Sequence, residues 1–186
     1  MIVKVPDPVL SAPAEPVKKI DKKILSIIDR MKKDLVHTRS PKGVGLAAPQ
    51  IGISLRIFIT RPDLTSLINV FINPEIISKS EELSEINRID KDPENKTHKK
   101  KLEGCLSIQN VWGYLKRSSW VKLRFINISG EIEEKIFTGF MATIVQHETD
   151  HLNGILFTQR VFEQHQKLYR IEKDSENNDK LVAIEL

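Results

Sequence analysis

The sequence predicts an α+β fold in which antiparallel sheets pack around a central helix, with a further helix near the N-terminus. Three observations predict it: helical spacing of apolar residues over 21–37, short alternating apolar segments between residues 55 and 125, and a helix with two histidines over 138–153. Strands precede and flank the last helix, which favours antiparallel pairing. With 186 residues, 40% of them hydrophobic, the chain is expected to form a single domain over 1–186.

The N-terminal helix is predicted over residues 21–37, where six apolar side chains share one face. They are Ile24, Leu25, Ile27, Ile28, Met31 and Leu35. Asp21 is expected to cap the start of this helix, and Ile20 to pack on Leu25 as a hydrophobic staple. This face should pack against the core.

Three strands are predicted from short apolar runs. They contain Leu55, Ile57 and Ile59, then residues 68–72, then Val121, Leu123 and Phe125 ahead of a turn at 127–130. Near the C-terminus an amphipathic helix is predicted from Val161, Phe162, His165, Leu168 and Tyr169. The polar run 174–179 should end it, and residues 181–186 should form a last strand.

Two segments are expected to lie outside the core. About half of residues 78–101 are charged, and three lysines at 99–101 close the segment, which indicates an exposed charged insertion. From about residue 173 the chain is expected to form a variable C-terminal tail. A basic loop of this kind could contact a polyanion, but the composition favours a solvated surface excursion.

Composition limits the classes of protein. The single cysteine, Cys105, cannot form an internal disulfide, which fits a reducing compartment. We find no apolar run of membrane-spanning length and no secretory signal pattern, so we expect a soluble, cytoplasmic protein without a membrane partner. The charge of +4 and pI near 9.1 suit an anionic partner such as RNA, but no nucleic-acid motif is present and no DNA partner is expected.

The run 146–151 carries the strongest chemical signal. On a helix, His147 and His151 lie on one face, one turn apart, where they can bind one metal ion, and Phe140 and Ile144 continue the same stripe. Glu148 is free of the metal yet near enough to take a proton from water. A metallohydrolase is predicted, while a core helix with two hydrogen-bonded histidines stays open on this motif alone.

The surroundings of this motif allow three further expectations. Thr138 should cap the start of the helix, and residues 153–154 should end it. Asp150 can orient one of the imidazoles from behind. A third protein ligand is needed, and Cys105 is the best candidate because a thiolate binds iron or zinc strongly, although an inert core thiol is the alternative.

Residues 43–52 form another candidate segment. Three glycines and a proline make a loop whose backbone can approach a ligand closely, and Gln50 brings an amide that can polarise a carbonyl. Composition alone would make it only a turn before the strand at Leu55.

Together, residues 43–50, 103–107 and 146–154 resemble the peptide deformylases, whose signatures are a GxGLAAxQ loop, an EGCLS segment and a QHExDHLxG helix. The likeness extends to residues 5–10 and 154–157 and covers most of the chain apart from the 78–101 insertion and the tail. Two positions depart from the family pattern: Gln109 stands where proline is common, and Trp112 where arginine is common, although Arg117 is kept. These changes concern peptide preference.

The resemblance implies a co-translational, metal-dependent hydrolase that removes the N-formyl group from the N-terminal formylmethionine of nascent proteins and releases formate. Cys105, His147 and His151 would hold one divalent ion, natively Fe(II), with Zn(II), Ni(II) or Co(II) also accepted, and leave a fourth position for water. Glu148 would carry the proton. The residues that would stabilise the oxyanion are Gln50, through its side chain, and Leu106, through its backbone N–H.

The resemblance also implies how the peptide binds. The formylmethionyl chain would add as a strand along Gly43, Val44 and Gly45, with the methionine side chain in an apolar pocket. Val44 and Ile144 are the candidates for the pocket wall, and Glu103 is expected to fix its geometry. A weak association with the ribosome is a hypothesis that rests on the basic charge and the substrate.

Two other functions compete with this one. A zinc peptidase would use the same two histidines and Glu148, but such enzymes usually take His or Glu as the third ligand, whereas here Cys105 is available. A metal-free binding module that captures nascent N-termini has no need of a general base. The ligand set itself accepts either iron or zinc.

Overall fold

The computed structural model describes residues 1–38, 43–86, 102–173 and 179–185. Within these ranges the helices are α1 (Lys22–His37), α2 (Gly139–Leu152) and α3 (Phe157–Glu163), with short 3₁₀ helices at Pro8–Leu10 and Ala48–Ile51. The strands are β1 (Gly45–Ala47), β2 (Ile57–Thr60), β3 (Asn69–Lys79), β4 (Leu83–Ser84), β5 (Glu103–Cys105), β6 (Ile108–Gly113), β7 (Arg117–Ser118), β8 (Trp120–Ile126), β9 (Ile132–Thr138), β10 (Leu168–Lys173) and β11 (Asp179–Ala183).

Helix α1 begins where the sequence predicted. The carboxylate of Asp21 accepts a hydrogen bond from the backbone N–H of Ile24 at 3.0 Å, which satisfies one of the donors left unpaired at a helix start. The buried stripe is narrower than predicted, because only every third or fourth residue faces the sheet: Ile24, Ile28, Met31 and Leu35. Leu25, predicted on the apolar face, is 38% exposed.

The larger sheet contains all three strands predicted before the histidine helix. Its strands follow the order β1, β2, β3, β8, β9, and every neighbouring pair is antiparallel. The turn predicted at 127–130 joins β8 to β9, and Gly130 there adopts a φ of +88° and donates its N–H to the carbonyl of Asn127 at 3.0 Å. Strand β1 lies at one edge of this sheet.

Helix α2 occupies the centre of the fold, as predicted. Its apolar residues Ala142, Val145 and Leu152 pack on the larger sheet against Phe58 and Phe71. Burial of a side chain as large as phenylalanine stabilises a fold by about 1.5–3 kcal/mol. The remaining strands form a four-stranded sheet in the order β11, β10, β6, β5 and the two-stranded pair β4 and β7. The predicted α+β fold with antiparallel sheets is therefore confirmed.

The predicted C-terminal helix is correct only in its first part. Helix α3 ends at Glu163, His165 takes a φ of +53°, and Leu168 begins strand β10 opposite Gly113. A Cβ on Gly113 would lie 2.6 Å from Cγ2 of Val161, so the glycine lets α3 and β10 approach β6 closely. The spacing of apolar residues predicted a helix here, but Leu168 is buried by pairing of β10 with β6 instead.

The start of the predicted exposed insertion forms strands and includes one buried residue. Strand β3 continues to Lys79, β4 pairs with β7, and Ile86 is only 6% exposed. The rest of the insertion, 87–101, lies outside the described residues, as does 174–178 of the polar run. The predicted last strand is confirmed for its first three residues, which belong to β11 and pair with β10. Among the helices of the described part, none is long and apolar enough to cross a membrane.

Candidate metal centre and active site

A glutamine rather than the predicted threonine cap fixes helix α2. Thr138 occupies the N-cap position, but its side chain makes no capping hydrogen bond. Gln146 instead pairs with the backbone of Ser118 on β7, accepting from its N–H at 3.1 Å and donating to its carbonyl at 3.0 Å. The helix ends at residues 153–154 as predicted, with Gly154 at a φ of +70°. These contacts set the position of the next turn of α2, which carries the histidines.

The two histidines and the cysteine lie together. Each of Cys105, His147 and His151 offers one ligand atom, and these atoms all lie within 4.8 Å of one another. The sulfur of Cys105 is 3.2 Å from Nε2 of His151. A thiolate with two imidazoles is a donor set that suits a tetrahedral iron or zinc site with one open position. The structure thus brings together a group that can hold a single metal ion, as the sequence predicted.

The charges around Cys105 favour the form that binds metals. Burial alone would raise the pKa of the thiol, but the nearby charge of His151 and the hydrogen bonds from both histidines outweigh burial and hold the pKa well below its usual range. Burial also lowers the pKa of His147, but the charge of Glu103 outweighs it and keeps the pKa well above its usual value. The lowered pKa keeps Cys105 as a thiolate, which is the form of cysteine that binds a metal ion.

Glu103 contacts one imidazole of the histidine pair and a buried arginine. Its Oε1 lies 2.6 Å from Nδ1 of His147, and Arg117 donates from Nη2 and Nε to the two carboxylate oxygens at 2.7 and 2.9 Å. Glu103 and Cys105 are two residues apart on β5, so their side chains share a face. The sequence analysis expected Glu103 to fix the geometry of the methionine pocket, and the structure shows both of its oxygens held by His147 and Arg117.

Asp150 was predicted to contact an imidazole, but it is linked to His147 only through Arg117 and Glu103. It accepts hydrogen bonds from Arg117 Nη1 at 2.9 Å and from Arg160 Nη2 at 2.8 Å. Among the hydrogen bonds of the described residues, none joins Asp150 to His147 or His151. Burial lowers the pKa of Arg117, but the charges of Glu103 and Asp150 outweigh burial and raise that pKa above its usual value. Burial raises the pKa of Glu103, but the charge of Arg117 outweighs burial and holds that pKa below its usual value. The sequence held one clue to these arginines, since two buried carboxylates require a cation.

Glu148 is buried beside the group formed by Cys105, His147 and His151 and against the glycine loop. Burial raises its pKa to about 7, although the charges of His147 and His151 act in the opposite direction. A Cβ on Gly45 would lie 2.7 Å from Cδ of Glu148, so only glycine leaves room for this carboxylate. Within the described part of the chain, Oε2 of Glu148 is a buried oxygen with no hydrogen-bond partner. That oxygen is available to a water or a substrate nitrogen.

Gln50 of the glycine loop (residues 43–52) contacts the hairpin of β5 and β6 that carries Cys105, called the cysteine hairpin below. Gln50 accepts the N–H of Ala47 at 2.8 Å, and this contact turns its Nε2 toward Cys105 Sγ at 3.5 Å and Ser107 Oγ at 3.4 Å. Leu106 follows Cys105 in the two-residue turn between β5 and β6, where Cys105 faces Ile108. The side chain of Gln50 and the backbone of Leu106 therefore border the same site. Ser107 is a contact that the sequence prediction missed.

Three of the predicted peptide-binding residues lie at the edge of the larger sheet. Gly43 and Val44 precede β1, Gly45 begins it, and the carbonyl of Val44 accepts the N–H of Arg61 at 2.7 Å. Ile144 lies one turn before Glu148 on α2 and is 3% exposed. Trp112 packs its ring on Gly104, where a Cβ would lie 2.6 Å from the ring. The residue that departs from the family pattern thus contacts the strand that carries Cys105.

The comparisons with known proteins agree on one family. The family model described as polypeptide deformylase matches residues 1–167. A peptide deformylase of Pseudothermotoga lettingae is 41% identical over 179 residues, which span 93% of this chain and 92% of that protein. The crystal structure of the Thermotoga maritima peptide deformylase superposes with a TM-score of 0.73 at 36% identity, covering 87% of this chain and 96% of that one. The Plasmodium falciparum peptide deformylase, solved in complex with an inhibitor, gives a TM-score of 0.71 at 32% identity, covering 88% and 90%.

Proposed function

Because this chain belongs to the polypeptide deformylase family, we propose how its own residues perform the reaction of that family. The enzyme removes the N-formyl group from nascent peptides, which is the hydrolysis of a linear amide. The reaction needs a water activated as a nucleophile, a group that moves its proton, and donors for the negative charge that develops on the formyl oxygen.

We assign the metal to the sulfur of Cys105 and the imidazoles of His147 and His151. The support is the closeness of the three ligand atoms, the depressed pKa of the thiol, and the contact of Glu103 with Nδ1 of His147, which leaves Nε2 as the free ring nitrogen. When bound, a divalent cation supplies Lewis acidity to the water and to the formyl group. Fe(II) as the native ion follows from the family resemblance, while the donor set also accepts Zn(II), Ni(II) or Co(II).

Glu148 carries the proton, and the observation that supports this role best is its unpaired, buried Oε2 beside the metal ligands. Glu148 takes a proton from the attacking water as the carbon–oxygen bond forms. It then gives that proton to the amine nitrogen as the carbon–nitrogen bond breaks, so formate and a free N-terminus leave. A pKa of about 7 makes both transfers feasible near neutral pH.

Gln50 and Leu106 stabilise the oxyanion. The Nε2 group of Gln50 is held in place by the contact of its Oε1 with Ala47, so its donor needs no reorganisation during the reaction. The backbone N–H of Leu106 supplies a second donor from the turn beside Cys105. One such donor is typically worth about 3–4 kcal/mol of transition-state stabilisation.

The formylmethionyl peptide adds to β1, the edge strand of the larger sheet in the described part of the chain, along Gly43, Val44 and Gly45, and its backbone pairs there as an extra strand. The methionine side chain enters an apolar pocket walled by Val44 and Ile144. We further propose that residues 1–186 act as one catalytic domain in the cytoplasm, and that the net charge of +4 gives the enzyme a weak attraction to the ribosome.

The test is formate release from a short formylmethionyl peptide, using protein purified without oxygen and loaded with Fe(II) or Ni(II). The matched controls are the same peptide without the formyl group, an internal peptide bond in the same sequence, and the Glu148→Gln enzyme. Release confined to the formylated peptide and lost in Glu148→Gln supports the proposal. Cleavage of internal bonds would indicate a peptidase, and metal binding without any turnover would indicate a binding module.

A further inference from the structure

Three consecutive residues at the N-terminus contact both loops that supply the oxyanion donors. The contacts are Val3 N–H to Gln50 O at 2.8 Å, Lys4 Nζ to Leu106 O at 2.5 Å, and Val5 N–H to Ser107 O at 3.1 Å. The first holds the 3₁₀ helix that carries Gln50, and the other two hold the turn between β5 and β6. This segment therefore sets the distance between Gln50 and the cysteine hairpin.

The contact of Lys4 reaches the metal ligand through a single peptide group. The carbonyl of Leu106 and the N–H of Ser107 belong to the same planar amide, and that N–H donates to Cys105 Sγ at 3.4 Å. A cation on the oxygen of an amide polarises its N–H and makes it a stronger donor. The ammonium of Lys4 thus strengthens and aims the hydrogen bond that the Cys105 sulfur receives.

The same contact constrains the direction of the Leu106 N–H. A two-residue turn has four soft backbone dihedrals, and here its two carbonyls are both held, one by Lys4 and the other by Val5. With both amide planes fixed, the preceding N–H of Leu106 has little freedom to rotate away. Lys4 is an exposed residue, but its hydrogen bond to the Leu106 carbonyl is partly buried. Among the described residues no ion pair between Lys4 and a carboxylate is found, so its ammonium is directed at this carbonyl.

We propose that Lys4 is a positioning residue of the active site, which acts by holding the carbonyl of Leu106 in one orientation. This contact directs the N–H of Ser107 toward the sulfur of Cys105. It also directs the N–H of Leu106 toward the position of the oxyanion. The proposal rests on the proposed function where Leu106 is concerned. The contact with Cys105 is independent of the reaction.

The experiment compares Lys4→Met, which keeps the length of the side chain but removes the charge, with Lys4→Arg, which keeps the charge, and with Lys18→Met, a matched loss of an exposed lysine. Two quantities are measured on each metal-loaded protein: kcat and KM for the formylated peptide, and the thiolate-to-metal charge-transfer absorption of the Co(II) form. We expect Lys4→Met to lower kcat about tenfold with KM unchanged and to shift the absorption band, because one charge-assisted contact is lost. Lys4→Arg should restore both quantities, and Lys18→Met should alter neither.

The outcomes separate a positioning role from a structural one. If Lys4→Met only lowers the free energy of unfolding, while kcat per folded molecule and the Co(II) band stay as in the wild type, the proposal is overturned. Should Lys4→Met not fold, Lys4→Gln takes its place, and an unchanged kcat and band in that variant would overturn the proposal equally. If the wild type itself released no formate, the proposed function would fail, and the Co(II) band would still decide whether Lys4 acts on Cys105.

Discussion

Oε1 of Glu103 lies 2.6 Å from Nδ1 of His147, and this contact decides which ring nitrogen of His147 is left for a metal. Because Arg117 keeps the carboxylate ionised, Glu103 can only accept, so Nδ1 keeps a proton and Nε2 is the nitrogen that can give up its proton to bind a metal. Glu103 therefore fixes the orientation of the His147 ring in the metal-free protein. This preparation depends on two segments, β5 and α2, that lie far apart in the sequence.

Replacing Glu103 by glutamine should weaken metal retention. The amide removes the negative charge from His147 and one partner from Arg117, and losses of this kind typically cost about 10–100-fold in metal affinity. The measurement is metal content per folded protein during titration with a chelator, with Glu15→Gln as an exposed control. Affinity equal to that of the wild type would show that Glu103 does not orient His147.

Replacing Gly45 by alanine should reduce kcat without removing the metal. The new Cβ would overlap the Glu148 carboxylate and displace it, and a displacement of about 1 Å in a catalytic group costs on the order of 10²-fold. The matched control is Gly130→Ala, whose Cβ meets nothing within 4 Å, and which should lose only about 1 kcal/mol of stability at its positive φ. Full activity of Gly45→Ala would contradict the close placement of Glu148.

The Glu148→Gln enzyme should keep its metal and lose most of its turnover. The amide has nearly the shape of the carboxylate but cannot carry a proton, and general acid–base groups typically contribute about 10²–10⁴-fold. Metal content and formate release are measured on the same sample. Equal turnover in the variant and the wild type would remove Glu148 from the mechanism.

The metal-free protein should lose stability between pH 4.5 and pH 7 because of Glu148. Below pH 4.5 its carboxyl is protonated in both the folded and unfolded chains, whereas between pH 4.5 and about 7 only the folded chain keeps the proton, so the free energy of unfolding falls as pH rises. At about 1.4 kcal/mol per pH unit, this amounts to about 3 kcal/mol. Urea unfolding of metal-free wild type and Glu148→Gln at pH 5 and pH 8 measures it, since the variant lacks this dependence. Parallel pH curves for the two proteins would contradict the raised pKa.

Replacing Cys105 by alanine should greatly weaken metal binding, because the site then has two imidazoles and no thiolate. Metal content after dialysis is the measurement, and the Lys18→Met protein serves as a reference that keeps the site intact. Metal retained at the wild-type level in the cysteine variant would place the third ligand elsewhere.

Local geometry made part of the structure predictable from sequence alone. The strands β2, β3 and β8 and the common face of His147 and His151 follow from the periods of strands and helices. The cap at Asp21 follows from the affinity of a carboxylate for the unpaired N–H groups at a helix start. Both depend only on neighbouring residues. The intact loop, cysteine and histidine segments also indicated the family and the Cys105, His147 and His151 group that could hold a metal ion.

Tertiary packing decided the rest. Leu168 became part of a strand because β6 offered it a partner, and Glu103 became the orienting group of His147 because Arg117 reached its second oxygen. Lys4 met the Leu106 carbonyl across about a hundred residues of chain. Such contacts depend on which segments the core brings together, and no local period in the sequence encodes them.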